Sequence, residues 1–139
     1  MTRIRCRLLV CTGEVATETA ADYVAHRPLY RDEEGNLFGL GDEPFTADDG
    51  RTIQPAPVGA MWDSDWYRGV VDFVPGSDGR ILMVRTPAGD WVVDQRSRAG
   101  TGWTRAGEAP DVTVAPSIRI SNGRREYHGW LRGGWLEEC

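Results

Sequence analysis

Lysine is missing from this 139-residue chain, and all 16 of its basic residues are arginine. No chemistry demands a guanidinium at every basic position, so the bias reads as that of a GC-rich genome. Each Arg nonetheless offers a planar fork for phosphate or carboxylate and a face that stacks on rings. Cysteine is scarce and odd in number: Cys6, Cys11 and Cys139, with no CxxC pair. Neither a zinc site nor a disulfide framework is encoded, and Cys6 and Cys11, which flank an apolar run, read as core thiols or as the two ends of one strand. Histidine occurs only twice. There is no P-loop, no GxGxxG after a strand, no HExxH and no GxSxG, so no enzyme motif is present. No apolar run approaches 18 residues and no charged-then-apolar leader is seen, which points to a cytoplasmic chain with no membrane partner.

Seventeen Gly and eight Pro favour tight turns and short strands over long helices. The length suits one domain with a core of its own. The net charge of −5 and pI of about 5.0 argue against a broad grip on duplex nucleic acid, but leave room for a local Arg cluster that holds a small anion.

Along the chain, residues 3–10 alternate Arg with Ile4, Cys6 and Leu8, the period of a half-buried strand. Thr12, Gly13 and Glu14 read as a turn. Residues 16–26 are Ala-rich and predict a short helix that ends before Pro28. Asp32 to Asn36, between two apolar runs, predicts a hairpin loop. Residues 41–59, acidic and with three Pro, predict a long irregular loop. Trp62 and Trp66 are four apart, so one helical turn would align them. Three strands follow over residues 69–94 with Gly/Asp turns between them, then a polar loop over 95–110, strands on either side of Pro116, and a closing hairpin about Gly133 and Gly134. The fold class expected is mainly β: one domain of short antiparallel strands with one or two short helices.

Four of the six Trp and seven of the 16 Arg fall in residues 91–139. Within that stretch Arg96, Arg98 and Arg105 surround Trp103 on the polar loop. Arg forks suit phosphate and an indole offers a stacking face to a base, so this set, with Trp62 and Trp66, is the candidate ligand site. The plainer reading makes Trp103 core and the Arg residues solvated. Asp63, Asp65 and Asp94 supply oxygens that a hard cation would want, but their spacing matches no metal loop, and turn-forming or capping roles explain them as well. His128, in a Tyr-His-Gly-Trp run, reads either as a hydrogen-bonded structural residue or as a ligand contact with Glu126 on its face. No metal and no cofactor are expected.

Several runs keep their order: residues 57–62 (PVGAMW), 78–84 (DGRILMV), 89–94 (GDWVVD), 103–110 (WTRAGEAP), Ser117-Ile118, and 127–131 (YHGWL). In this the chain resembles a family of small bacteriophage and prophage proteins over about residues 57–136. The family pattern carries cysteines after the position of Asp94 and before that of Trp103, where this chain has none, so any metal those cysteines bind should be absent here. The resemblance implies a phage origin and carries no activity with it. The function expected is that of a non-catalytic, phage-encoded binding protein that counters host defence by sequestering a nucleotide-derived signal, and a homo-oligomer is expected by analogy with proteins that bind such signals at subunit interfaces. The alternatives are a protein-binding inhibitor of a host factor or minor virion component, and a small hydrolase that uses Asp94, Glu108 and His128.

Overall fold

The fold follows from the alternation of apolar and polar residues, which turns one side of each short strand inward. In this computed structural model the described residues are 3–18, 24–64, 73, 75–76, 78–95, 104–121 and 125–139, and they contain strands and no helix. The first strands are β1 (Arg3–Arg5), β2 (Arg7–Leu8), β3 (Val10–Glu18), β4 (Val24–Arg31) and β5 (Leu37–Gly39). Then come β6 (Phe45–Thr46), β7 (Thr52–Pro55), β8 (Ala60–Asp63), β9 (Leu82–Thr86) and β10 (Gly89–Val92). The last are β11 (Thr104–Ala106), β12 (Thr113–Ser121), β13 (Glu126–Arg132) and β14 (Trp135–Glu138). They gather into two compact units, one of residues 1–8 with 58–139 and one of residues 9–57.

The larger unit has two sheets, one ordered β1-β14-β13-β12-β11 and one ordered β10-β9-β8-β2. Val84 and Leu82 from the second, with Val93 just beyond β10, meet Val114, Ile118, Leu131 and Leu136 from the first in one core. Each side chain so buried contributes about 1.5–3 kcal/mol. Residues 3–8 serve both sheets. Ile4 pairs with Leu136 and Arg7 with Ala60, and between them Cys6 donates its N–H to the Gly134 carbonyl at 2.8 Å. The chain changes sheets at this buried thiol, which burial pushes up to about 12. Gly59 lies where this segment passes: its φ is +96°, and a Cβ there would press on Ile4 and the Arg5 carbonyl.

The smaller unit is a sheet that curls back on itself, in the order β3-β4-β5-β7-β6. An isolated bridge joins Thr17 of β3 to Ala47 beyond β6, and Asp48 donates its N–H to the Ala16 carbonyl at 2.9 Å. Closure of this kind removes the exposed strand edges that invite aggregation. Val15, Leu29, Ala47 and Ile53 fill the interior, with Leu37 and Phe45 against them. The predicted hairpin about residues 32–36 is present, with Tyr30 opposite Phe38. Asp32 fixes it by accepting the N–H groups of Glu34 at 3.0 Å and Asn36 at 2.9 Å.

Several expectations change. The Ala-rich residues 16–26 are not helical where described: β3 runs to Glu18 and β4 starts at Val24, because pairing through Val15 and Arg27 to Glu18 and Val24 satisfies the backbone across strands. Gly13 marks a bulge inside β3 instead of a turn, with the register shifting between Cys11 and Gly13. The stretch 41–59 carries β6 and β7. Trp62 belongs to β8, which rules out a helical turn at that residue; Trp66 lies outside the described residues.

Candidate functional site

The five-stranded sheet of the larger unit has two faces with different chemistry. On its inner side Arg105 projects from β11. Its Nε donates to Asp94 Oδ1 at 2.9 Å, its Nη1 to Asp78 Oδ2 at 2.8 Å, and its Nη2 to Asp94 Oδ2 at 2.8 Å. All three side chains are about 5% exposed. Asp94 also accepts the Leu82 N–H at 2.8 Å, so this cluster ties β11 to the start of β9. Burial pushes the Asp78 carboxyl up, but hydrogen bonds from Arg105 and the Arg80 N–H outweigh it and hold the group at about 2. Burial is also the largest influence on Asp94, and there it prevails over the Leu82 N–H and Arg105, leaving that carboxyl raised. The donors of Arg105 are spent on these partners. It cannot grip a phosphate without breaking the cluster, and the expectation that it lines a ligand loop is corrected on that ground.

The outer side presents a ladder of Arg and Trp. Register places Arg3 opposite Glu137 and Arg5 opposite Trp135, then Glu137 opposite Trp130 and Trp135 opposite Arg132. The guanidinium of Arg3 sits 4.3 Å from the Trp135 ring centroid and that of Arg132 4.1 Å from the Trp130 centroid, both well inside cation–π range. Arg3 also pairs with Glu137 at 3.4 Å, and Arg5 pairs with Asp111. Among the described residues no carboxylate forms an ion pair with Arg132 or with Arg119, which stands opposite His128 on the next strand. A guanidinium stacked on an indole uses its face and keeps its N–H edge for an acceptor, so the rings hold these forks in a fixed attitude.

His128 lies on this outer side, exposed, with its Nε2 3.1 Å from the Ser117 hydroxyl. Among the described residues no carboxylate hydrogen-bonds its ring. An open hollow of about 330 Å³ lies at this end of the sheet, lined by Arg119, Ser121, Glu126, Tyr127, His128 and Glu138. The Tyr127 hydroxyl is buried and has no partner among the described residues. Burial first, and then the charge of Glu138, pushes it up to about 12.

The predicted site residues therefore scatter. Arg96, Arg98, Trp66 and Trp103 lie outside the described residues. Trp62 is 4% exposed, with Arg85 over its ring at 5.4 Å, and is a packing residue. Asp63 accepts the Ile81 N–H at 3.0 Å, next to the Leu82 N–H that Asp94 accepts, and the described residues contain no group of acidic, His and Cys side chains fit to hold a metal ion. Asp94 faces inward onto Arg105 while His128 faces outward onto Ser117, and Glu108 is exposed. The signal missed in the sequence was the period of two that aligns Trp130 with Arg132; the same alternation over Arg3 and Arg5 was legible as a strand but not as part of a site. No protein-family model, curated protein or solved structure matches the chain.

Proposed function

We propose that this protein is a non-catalytic binding protein for an anionic ligand of the nucleotide class, held on the outer face of its five-stranded sheet. The observation that carries this reading is the Arg132–Trp130 stack, in which a guanidinium free of any ion pair among the described residues is held at 4.1 Å over an indole. A base stacks on such a plane and a phosphate takes the N–H edge. The chain as a whole carries −5, so Arg119 and Arg132, which have no ion pair among the described residues while Arg3 and Arg5 pair with Glu137 and Asp111, stand out on this face as a local seat for an anion. The resemblance to small phage proteins supports a phage-encoded role in which uptake of a nucleotide-derived signal blunts host defence.

Native mass spectrometry of protein expressed in a host with an active nucleotide-signalling defence tests the reading. The expected result is a retained mass in the nucleotide range that disappears in Arg132→Ala. A clean apo mass from cells that make the signal, with a host protein retained instead, would replace this reading with that of a protein-binding inhibitor, since Trp and Arg also dominate protein interfaces.

A further inference from the structure

We infer that the ligand of this face is a short single strand of nucleic acid, engaged through at least two successive bases. The inference rests on the reading that the face takes nucleotides, and goes further in naming which kind. Trp130 stands opposite Glu137, and Trp135 is two residues from Glu137 on the same side of β14. The two indoles are thus diagonal neighbours on adjacent strands, about 7–8 Å apart at their backbones. Each carries its own stacked guanidinium, Arg132 on Trp130 and Arg3 on Trp135. Two platforms side by side accept two neighbouring bases, whereas a mononucleotide covers only one.

Shape and charge point the same way. Small-molecule sites are concave and enclose most of their ligand, but these stacks lie on an open sheet face. The nearby hollow mixes Arg119 and His128 with Glu126 and Glu138, so it does not form a closed anion pocket. An open face gains affinity by repetition along a strand. From the Arg3 and Arg5 edge on β1 to Arg119 on β12 is three interstrand steps, roughly 14 Å at about 4.8 Å each. That span fits a few nucleotides of extended chain, with Arg119 placed to take a phosphate beyond the two stacked bases.

The test is a titration of the full chain, followed by tryptophan fluorescence, with thymidine 5′-monophosphate, the thymidine dinucleotide and a thymidine decamer. The dinucleotide is expected to bind at least about tenfold tighter than the mononucleotide, because each added stack is worth roughly that factor. The decamer is expected to bind tighter again, and its log K to fall with log salt at a slope of about −2, as for three neutralised phosphates on a single strand. Arg119→Glu, an exposed change, should cost the decamer about tenfold while leaving the melting temperature in place. A decamer no tighter than the dinucleotide would make the ligand a free dinucleotide and overturn the inference. A mononucleotide as tight as the decamer would overturn it too, and both results would leave the nucleotide reading standing. No binding of any of the three, or of adenosine monophosphate, would remove that reading and the inference together.

Discussion

Arg105 and Arg132 stand on the same five-stranded sheet and do opposite work. Arg105 points inward, about 5% exposed, with every described bond going to Asp78, Asp94 and the Arg80 carbonyl. Arg132 points outward over Trp130, with no ion pair among the described residues. In sequence the two look alike, each beside a Trp and followed closely by Gly. The face a strand residue occupies decides whether a guanidinium becomes part of the core or part of the surface chemistry, and one step of register exchanges those roles.

The sharpest way to break this comparison is to delete each guanidinium and measure urea unfolding. Arg105→Ala leaves two carboxylates buried without their cation and is expected to cost about 3–5 kcal/mol. A loss under about 1 kcal/mol would mean that the cluster opens to water and that the inner and outer sites are alike. Arg132→Ala is expected to cost less than about 1 kcal/mol, the scale of an exposed cation–π contact.

Acid titration sharpens the inner half. Asp78 is held at about 2, below its ordinary value of 3.8. A depressed folded-state pKa contributes stability that is fully present above 3.8 and is lost as pH falls from there through about 2. Asp94, raised by burial, acts in the other direction, so the comparison must be made at one site. Wild type should lose more stability across that window than Asp78→Asn does, and parallel acid limbs for the two proteins would show that Asp78 is not charged in the folded cluster.

Much of the fold was legible because it is local. The 32–36 hairpin and the Gly133–Gly134 hairpin are written in turn chemistry, while the period of two over residues 3–10 marks strand but not its division into β1, β2 and the start of β3, which belong to different sheets. Most of the failures come from a partner that lies farther along the chain, but the Ala-rich stretch was missed although β3 pairs with its neighbour β4, because its composition suits a helix. Residues 16–26 look helical until β3 pairs with β4 and closes onto Ala47. Arg105 looks like a loop residue until Asp78 and Asp94, at separations of 27 and 11, are brought to it. The outer ladder needs β1 to pair with β14 across nearly the whole chain, which no local pattern announces.

The smallest expected effect concerns Tyr127, whose side chain faces inward from the strand that carries His128 and Trp130 outward. Its ring lies over Gly129, where any Cβ would meet the Tyr127 hydroxyl and the Glu137 carbonyl. Room was made for the ring, yet the hydroxyl has no partner among the described residues. A buried polar group left without a hydrogen bond costs about 1–3 kcal/mol. Tyr127→Phe keeps the packing and removes that penalty, so it should be neutral to about 1 kcal/mol stabilising in urea unfolding. A loss of more than about 1 kcal/mol would mean that the hydroxyl is satisfied by water from the hollow that Tyr127 helps line, and the inner face would then reach solvent at that end of the sheet.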